Sequence, residues 1–364
     1  MPAAAAAKPP KNLGNGRRKK LRWRSLKYFP QKMRAAFIRH YGGNDAIEIS
    51  DRPVPNAGPR DVLIRVRAAG VNPVDYKIRD GQLKSILPLK FPLILGNECA
   101  GVVEKCGTEV RAFKPGDAVY ARLEKDRFGA YAEFAAANEN SVALKPANLD
   151  FNQAAAIPLA GLTAWQALIE IGKLQAGQKV LIHAGSGGVG TFAIQLAKHL
   201  GAFVATTCSA RNAALVKSLG ADVVIDYTTQ KFDALLDGYD LVFDTLGGDT
   251  QHRSFSVLRR GGALVTVAGI PTAKFGRAWG VNPIVRMVMG FKNRASTKLA
   301  QERGVTFKYL FMHPSGEQLR EITRLIEAGK IKPVIDKTFD LDHLRDALSY
   351  SENGRTVGKV VITI

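Results

Sequence analysis

Six residues near the middle of the chain have the types and spacing that hold a phosphate group. Gly185-Ser186-Gly187-Gly188-Val189-Gly190 matches the pattern G-x-G-x-x-G. The pattern follows the short apolar run Lys179–Gly185 and precedes apolar residues at helical spacing. In that setting the glycines permit a tight turn and a close approach of backbone to a pyrophosphate, and the following helix offers free N–H groups to the anion. This loop therefore predicts a dinucleotide site.

The residues after the next predicted strand indicate which dinucleotide binds. Chains that bind NAD carry an acidic residue about 20 positions further on, which holds the 2′-hydroxyl of the ribose. Here no Asp or Glu occurs between Ile171 and Ala221, and the strand end contains Ser209, Arg211 and Asn212. A hydroxyl and a guanidinium suit a 2′-phosphate, because arginine makes bidentate, charge-assisted hydrogen bonds to phosphate. We therefore expect NADPH to be the cofactor.

Around this loop, strands alternate with helices from residue 153 onwards, which is typical of a doubly wound parallel sheet. Before it, from Met33 to about Asn140, short strands and turns predict an all-β unit. The chain returns to short strands after Val305 and ends in the strand-like run GKVVITI. We expect an α/β protein in which the β-rich domain comprises residues 33–152 and 305–364, and the nucleotide-binding domain comprises residues 153–304.

The composition of the chain narrows the class of protein to which it can belong. The chain has 364 residues and 46% hydrophobic residues, enough for two domains with large cores. It has only three cysteines, which fits a reducing compartment, and no apolar run long enough to span a bilayer. We expect a cytoplasmic protein, with organelle import through the basic N-terminus as an open alternative.

The formal net charge of +20 is concentrated at the N-terminus. Residues 1–32 contain ten Lys or Arg and no acid, and should be disordered. This tail could contact an anionic membrane or nucleic acid, or could be a solvated extension upstream of Met33. A second basic stretch, residues 272–300, fits either a lid or interface helix beside the active site, which we favour, or an amphipathic helix at a membrane surface.

Several segments resemble the medium-chain dehydrogenase/reductase superfamily, most closely its zinc-independent quinone oxidoreductases of the zeta-crystallin-like and alkenal/one-reductase-like types. They are AAGVNPVDYKIRDG (Ala68–Gly81), LGNECAGVV (Leu95–Val103), IPLAGLTAWQAL (Ile157–Leu168), AGSGGVG and GKVVITI. The resemblance covers residues 33–364. It implies a GroES-like substrate domain, a Rossmann domain, a cleft between them and a homodimer.

The resemblance also implies roles for single residues. Lys77 and Asn72 would face the cleft as catalytic residues. Around the cofactor, the resemblance adds Thr163 near the nicotinamide, Ser209, Arg211 and Asn212 at the 2′-phosphate, Tyr227 beside the adenosine, and Leu246, Gly247 and Gly269 along the nicotinamide groove. His183 lies within a predicted strand, where a hydrogen-bonded core histidine is the expected role.

No metal site is expected. Zinc enzymes of the superfamily have a Cys where this chain has Asn72, a His where it has Asn97, and a third ligand near Ala160. Because catalytic zinc needs three protein ligands, Glu98 alone could not hold it. We expect hydride transfer from NADPH to a quinone or a similar electrophilic acceptor. One alternative is reduction of a 2-alkenal or enone, and another is an NADPH-binding protein that engages nucleic acid or anionic membrane through its basic tail.

Overall fold

The computed structural model describes residues 31–364. The expectations for the basic tail therefore lie outside the described residues, apart from its last two positions. Lys32 already belongs to the first strand, and Lys32–Ile364 form one compact unit. None of the helices in residues 31–364 is long and apolar enough to cross a membrane.

The GroES-like part is built from two mainly antiparallel sheets, and the larger of them includes the C-terminal strand pair. Its strands are β1 (Lys32–Ile38), β2 (Ile47–Pro53), β3 (Asp61–Val71), β4 (Leu93–Ile94), β5 (Glu98–Cys106), β6 (Ala118–Arg122), β7 (Phe134–Asn138) and β8 (Val142–Leu144). One helix, α1 (Pro73–Arg79), follows β3 directly. Strands β2, β1 and β4 form the small sheet.

The strand β3 lies at the centre of the larger sheet. Its run VLIRVRAAG alternates apolar and basic residues and so predicts a half-buried strand. The structure buries nearly all of it, because β3 pairs with β5, with β7 and with the C-terminal strand. Arg65 remains at the edge of this core, where its guanidinium lies 3.0 Å from Glu104 and over the ring of Phe134.

The Rossmann part begins with helices and continues as a parallel sheet. Its elements are α2 (Phe151–Ala155), α3 (Pro158–Trp165) with a π-helical turn over Gln166–Ile171, β9 (Lys179–Ile182), α4 (Gly188–His199), β10 (Phe203–Cys208), α5 (Ala213–Ser218), β11 (Val223–Asp226), α6 (Phe232–Leu235), β12 (Tyr239–Asp244), α7 (Gly248–Ser254) and β13 (Leu258–Thr266).

A segment of three helices follows β13. They are α8 (Ala273–Ala278), α9 (Pro283–Lys292) and α10 (Arg294–Arg303), and they precede β14 (Thr306–Tyr309). The chain then forms α11 (Gly316–Glu327), β15 (Ile335–Asp340), α12 (Leu344–Glu352) and β16 (Lys359–Thr363). The parallel sheet has the order β11-β10-β9-β12-β13-β14.

The position of β14 corrects the predicted domain boundary. Residues from 305 onwards were assigned to the β-rich domain, but β14 pairs in parallel with β13 as the last strand of the Rossmann sheet. The reason is the crossover through α8–α10, which returns the chain to the same sheet edge. By contrast β16 pairs antiparallel with β3, so the chain end completes the GroES-like sheet as expected.

Candidate functional site

The glycine loop connects β9 to α4, as the pattern predicts. Gly187 is the N-terminal cap of α4, and no side chain caps that helix. Two of the glycines are required by close packing. A Cβ at Gly185 would lie 2.0 Å from Oγ1 of Thr206, and one at Gly190 would lie 2.3 Å from the carbonyl oxygen of Ala184.

The open end of α4 can bind an anion. The first hydrogen bond within α4 is donated by Thr191 N to the carbonyl oxygen of the cap residue Gly187, at 2.9 Å. The N–H groups of Gly188, Val189 and Gly190 precede it, and the first N–H groups of an α-helix have no acceptor within the helix. Together with the helix dipole they form a site suited to a pyrophosphate. This geometry fits the cofactor that the sequence predicts.

The structure brings the end of β10 beside this loop. Asn212 Nδ2 donates to Oγ of Ser186 at 3.0 Å, which joins the two loops. Ser209 is half-buried between them, and Arg211 is exposed. Nη2 of Arg211 makes a 3.5 Å contact with the carbonyl oxygen of Arg355, so most of its guanidinium is free for a ligand. Tyr227, which follows β11, is 64% exposed at the same rim.

The predicted nicotinamide groove begins where β12 and β13 end. Leu246 N and Gly247 N donate to Oδ1 of Asp244 at 3.0 and 2.9 Å, and this fixes the turn after β12. Gly247 has φ 73°, and its ideal Cβ position lies 3.5 Å from Gly269 N. Leu246 remains 54% exposed. The two loops thus lie against each other at the carboxyl edge of the sheet, the edge where ligands of such folds bind.

A buried polar cluster lies on the GroES-like side. Nζ of Lys359 donates to Oε1 of Glu98 at 2.8 Å, to the carbonyl oxygen of Val71 at 3.0 Å and to Oδ1 of Asn72. Nδ2 of Asn72 donates to the same Glu98 oxygen at 2.7 Å. The other Glu98 oxygen accepts from Leu159 N at the start of α3. Lys359 and Glu98 therefore form a buried ion pair in which every charged group has partners.

A second carboxylate extends the cluster. Asp75 caps α1 by accepting from Asn72 N at 2.8 Å, and it also accepts from Tyr131 Oη at 2.8 Å and from Nδ2 of Asn97. Burial raises the pKa of the Asp75 carboxyl to about 6, although these hydrogen bonds oppose the rise. Oδ1 of Asn97 is buried and has no hydrogen-bond partner among residues 31–364.

Lys359 also connects this cluster to the glycine loop. Gly358 N donates to the carbonyl oxygen of Ser186 at 2.8 Å, so the start of β16 is attached to the loop. A Cβ at Gly188 would lie 2.7 Å from Cδ of Lys359. The lysine side chain therefore passes the predicted pyrophosphate loop before its ammonium group reaches Glu98.

The two remaining predicted residues near the cleft differ in their surroundings. Thr163 is buried in α3, where its Oγ1 donates to Leu159 O at 2.7 Å. Lys77 is exposed on α1, and its side chain makes no hydrogen bond or ion pair with a residue of the described range. Asn72 is only 3% exposed, and its amide is already engaged by Glu98 and Lys359.

Sequence reasoning missed Lys359 and Asp75 as members of the site. The only indication for Lys359 is that a single charged residue begins the apolar run KVVITI. Strands whose first residue faces solvent have the same pattern, so the pattern does not identify a buried lysine. Asp75 lies three residues after Asn72, the spacing of a capping box, and that spacing alone would have assigned it to α1.

His183 has the hydrogen-bonded core surroundings that its place in a strand predicts. His183 is buried, with Nε2 2.8 Å from Oγ of Ser254 and Nδ1 3.2 Å from Oγ1 of Thr207. Burial lowers the pKa of His183 to about 4, so the ring is neutral near pH 7. Cys208 is also buried, and burial raises the pKa of its thiol. Neither side chain is placed to act on a substrate.

No group of three or more His, Cys, Asp or Glu side chains within residues 31–364 is arranged to hold a metal ion. At the three positions where the resemblance places zinc ligands, this chain has Asn72, Asn97 and Ala160. The space beside Glu98 is instead filled by the ammonium group of Lys359.

Comparisons with known proteins agree with this geometry. Residues 58–147 match the family "Alcohol dehydrogenase GroES-like domain", and residues 219–362 match the family "Zinc-binding dehydrogenase". The chain is 36% identical to "NAD(P)H oxidoreductase RTN4IP1, mitochondrial" of Danio rerio, with 91% of each chain covered. It is 37% identical to "NADPH-dependent alkenal/one oxidoreductase, chloroplastic" of Arabidopsis thaliana, over 92% of this chain and 80% of that one.

Among solved structures, the quinone oxidoreductase from Coxiella burnetii superposes with a TM-score of 0.79 at 32% identity, over 92% of this chain and 99% of that one. Both halves of the fold are thus shared over nearly the whole length. The chain belongs to the medium-chain dehydrogenase/reductase superfamily, in the branch that contains the quinone oxidoreductases and the alkenal/one reductases.

Proposed function

We propose that this protein transfers a hydride from NADPH to a quinone or a similarly electrophilic acceptor, without a metal ion. The observation that carries the proposal is one arrangement of residues. The open N-terminal end of α4 and the free guanidinium of Arg211 lie at the carboxyl edge of the sheet. In the neighbouring space, the buried ammonium group of Lys359 is paired with the carboxylate of Glu98. The relatives whose names include NADPH or NAD(P)H support the cofactor.

The chain's own residues would hold the cofactor by three kinds of contact. The N–H groups of Gly188, Val189 and Gly190 suit the pyrophosphate, and Ser209, Arg211 and Asn212 suit the 2′-phosphate. Tyr227 would lie beside the adenosine, and Thr163, Leu246, Gly247 and Gly269 around the nicotinamide. When bound, NADPH would supply a hydride, that is, two electrons together with one proton.

The acceptor gains negative charge on oxygen as it is reduced, because a quinone becomes a hydroquinone anion and an enone becomes an enolate. Lys77 is the proposed donor to that oxygen, since its ammonium group is exposed and unengaged on α1. Water would then supply the proton. Asn72, which the resemblance gives as catalytic, would instead hold α1 in place through its bonds to Glu98 and Lys359.

The proposal that the reaction needs no zinc rests on the side chains that are available as metal ligands. Two amides and an alanine stand where zinc enzymes present thiolates and an imidazole, and amide groups are poor zinc ligands. Glu98, the one carboxylate near that position, already accepts from Lys359, Asn72 and Leu159. Polarisation of an alcohol by a metal is therefore not part of the proposed reaction.

Reduction of the carbon–carbon double bond of a 2-alkenal or enone is the second candidate. The relative named for alkenal/one reduction favours it. It uses the same cofactor site and the same oxyanion donor, and differs only in the acceptor. The comparisons give no support to the alternative of an NADPH-binding protein that acts on nucleic acid.

The test is a screen of NADPH oxidation by the purified protein with quinones, 2-alkenals and enones. We expect turnover with at least one class, and a lower kcat for Lys77→Ala at a nearly unchanged Kd for NADPH. Lys84→Ala, which removes a second exposed lysine close to α1, is the matched control and should retain full activity. NADPH binding without turnover on any acceptor would refute the enzymatic proposal.

We also propose that the protein is a homodimer and acts in the cytoplasm. Strand β14 is the outer strand of the parallel sheet, and no described strand pairs with its free edge. An unpaired strand edge is a natural place for two sheets to join. The low cysteine content is the support for a reducing compartment.

A further inference from the structure

The helix α9 displays a stripe of large apolar side chains to solvent. Ile284, Met287, Val288 and Phe291 are 69%, 71%, 48% and 73% exposed. Their spacing of three, one and three residues places them on one face of the helix. Single exposed apolar residues are ordinary on protein surfaces, but four on one helical face mark an interaction surface. We call these four residues the α9 stripe.

The stripe is presented by a helix that is fixed in place. Met289, on the opposite face, is only 3% exposed. At the C-terminal end, Nδ2 of Asn293 donates to the carbonyl oxygens of Ile270, Pro271 and Met289 at 2.9–3.1 Å. At the other end, Asn282 caps the helix by accepting from Ile284 N at 2.9 Å. The outward direction of the stripe is therefore set by the packing of α9.

The charge around the stripe is mostly positive, because α8–α10 contain a single acid, Glu302, which pairs with Lys298 at 3.6 Å. Residues 270–301 contain six Lys or Arg and no Asp or Glu. Arg277, Lys292 and Arg294 are exposed and form no ion pair with an acidic residue in the described part of the chain. An apolar helix face bordered by unpaired cations is typical of a helix that lies in the headgroup layer of a membrane.

The same positive charges make two other partners for the α9 stripe unfavourable. In a symmetric contact with a second copy of the chain, the six cations of one segment would face the six of the other, and like charges repel. The chain's own residues 1–30 carry nine Lys or Arg and no acid, so they are repelled in the same way. An anionic lipid surface would attract the cations and would also accept the apolar side chains of the stripe.

We propose that the α9 stripe docks this protein reversibly on membranes that contain anionic phospholipid. The apolar side chains enter the boundary between headgroups and acyl chains, while the basic residues of α8–α10 contact the headgroups. The residue that ends α8 contacts the GroES-like part, since Nζ of Lys125 is 4.0 Å from the ring centre of Trp279. The docked face therefore adjoins the junction of the two halves of the fold.

The test is flotation of the full-length protein with vesicles made of equal parts of phosphatidylcholine and phosphatidylglycerol, and with vesicles of phosphatidylcholine alone. We expect binding to the anionic vesicles that weakens as salt is added. Ile284→Gln/Phe291→Gln should lower the partition coefficient about tenfold, because two large apolar side chains no longer leave water. Glutamine is a good helix former, so α9 itself should persist.

Leu144→Gln/Leu235→Gln is the matched control, since it removes two large apolar side chains that are exposed elsewhere, and it should bind vesicles like the wild type. All variants should retain turnover with a water-soluble acceptor. Equal vesicle binding by the wild type and the stripe variant would overturn the proposal. So would light-scattering masses in which the stripe variant is a monomer and the wild type a dimer, because the stripe would then be a contact between copies.

Discussion

Lys359 has an ammonium group that is removed from water and surrounded by three oxygen acceptors. A buried charge is costly unless it is paired and fully hydrogen-bonded, and removing one member of such a pair leaves the other without compensation. Because Glu98 is also fully buried, the two side chains depend on each other. The pair also holds the loop at Asn72 and the start of α3, which border the proposed acceptor site.

We expect Lys359→Met to lower the free energy of unfolding by about 3–5 kcal/mol, since it leaves the Glu98 carboxylate buried without its cation. The double variant Lys359→Met/Glu98→Gln should be destabilised by less than the sum of the two single variants. Urea denaturation of the four proteins gives this coupling directly. Additive losses would show that the two groups do not act as a pair.

Arg211 determines the cofactor preference in our proposal. Loss of a charge-assisted hydrogen bond to a phosphate costs about 1.5–3 kcal/mol. Arg211→Ala should therefore raise the KM for NADPH about tenfold or more and leave the KM for NADH nearly unchanged. Lys217→Ala, an exposed cation on the neighbouring helix α5, serves as the control. A parallel change for both cofactors would mean that Arg211 does not contact the 2′-phosphate.

At the scale of single residues, the sequence predicted those that act through a local pattern. The loop Gly185–Gly190 and the placement of Asn212 beside it follow from spacing along the chain. Lys359 and Glu98 are separated by 261 positions, and their pairing depends on how β16 and β5 both approach β3. No local pattern contains that information.

Among the elements, the turn from β9 into α4 tolerates little change. A side chain at Gly190 would meet the backbone oxygen of Ala184 at 2.3 Å, and backbone cannot move aside as a flexible side chain can. We expect Gly190→Ala to weaken NADPH binding at least tenfold and to lower the melting temperature, as measured by isothermal titration and thermal unfolding.

The control for that change is Gly290→Ala in α9. There the added Cβ would lie 3.6 Å from Cβ of Ala273, an ordinary contact, and alanine is a better helix former than glycine. This variant should bind NADPH normally and be at least as stable as the wild type. If Gly190→Ala also behaves in this way, the close packing of the glycine loop is not what the cofactor site requires.

The elements themselves were largely predictable, because apolar periodicity and capping residues define them. Helix α11, for example, begins directly after Ser315, whose hydroxyl caps it by accepting from Gln318 N. The packing of residues 272–300 was not predictable from the sequence. Two of the three helices there, α8 and α9, bury few residues, so their apolar positions do not show which face packs on the core. The missed pairing of β14 has a similar cause, because sheet membership of a short strand depends on the crossover before it.

For the whole molecule, the basic tail and the catalytic unit should be separable. Lys32–Ile364 form one compact unit that contains every residue proposed for catalysis and cofactor binding. Deletion of residues 1–30 should therefore leave kcat and KM with a water-soluble acceptor within about twofold, a change below that expected from losing one net hydrogen bond. A large loss of turnover after the deletion would assign the tail a part in the active site.

The order in which the strands are synthesised has a consequence for biogenesis. Strand β3 comprises Asp61–Val71, yet its neighbour β16 comprises Lys359–Thr363 and is synthesised much later. Until β16 has left the ribosome, the part of β3 that it covers, Ala68–Val71, stays unpaired on that side, while β7 can already pair with Asp61–Arg65. The Rossmann sheet, whose strands all precede Leu310, can assemble during that interval. A nascent chain of this protein therefore carries a finished nucleotide fold beside an unfinished GroES-like sheet, and chaperones should engage it at that stage.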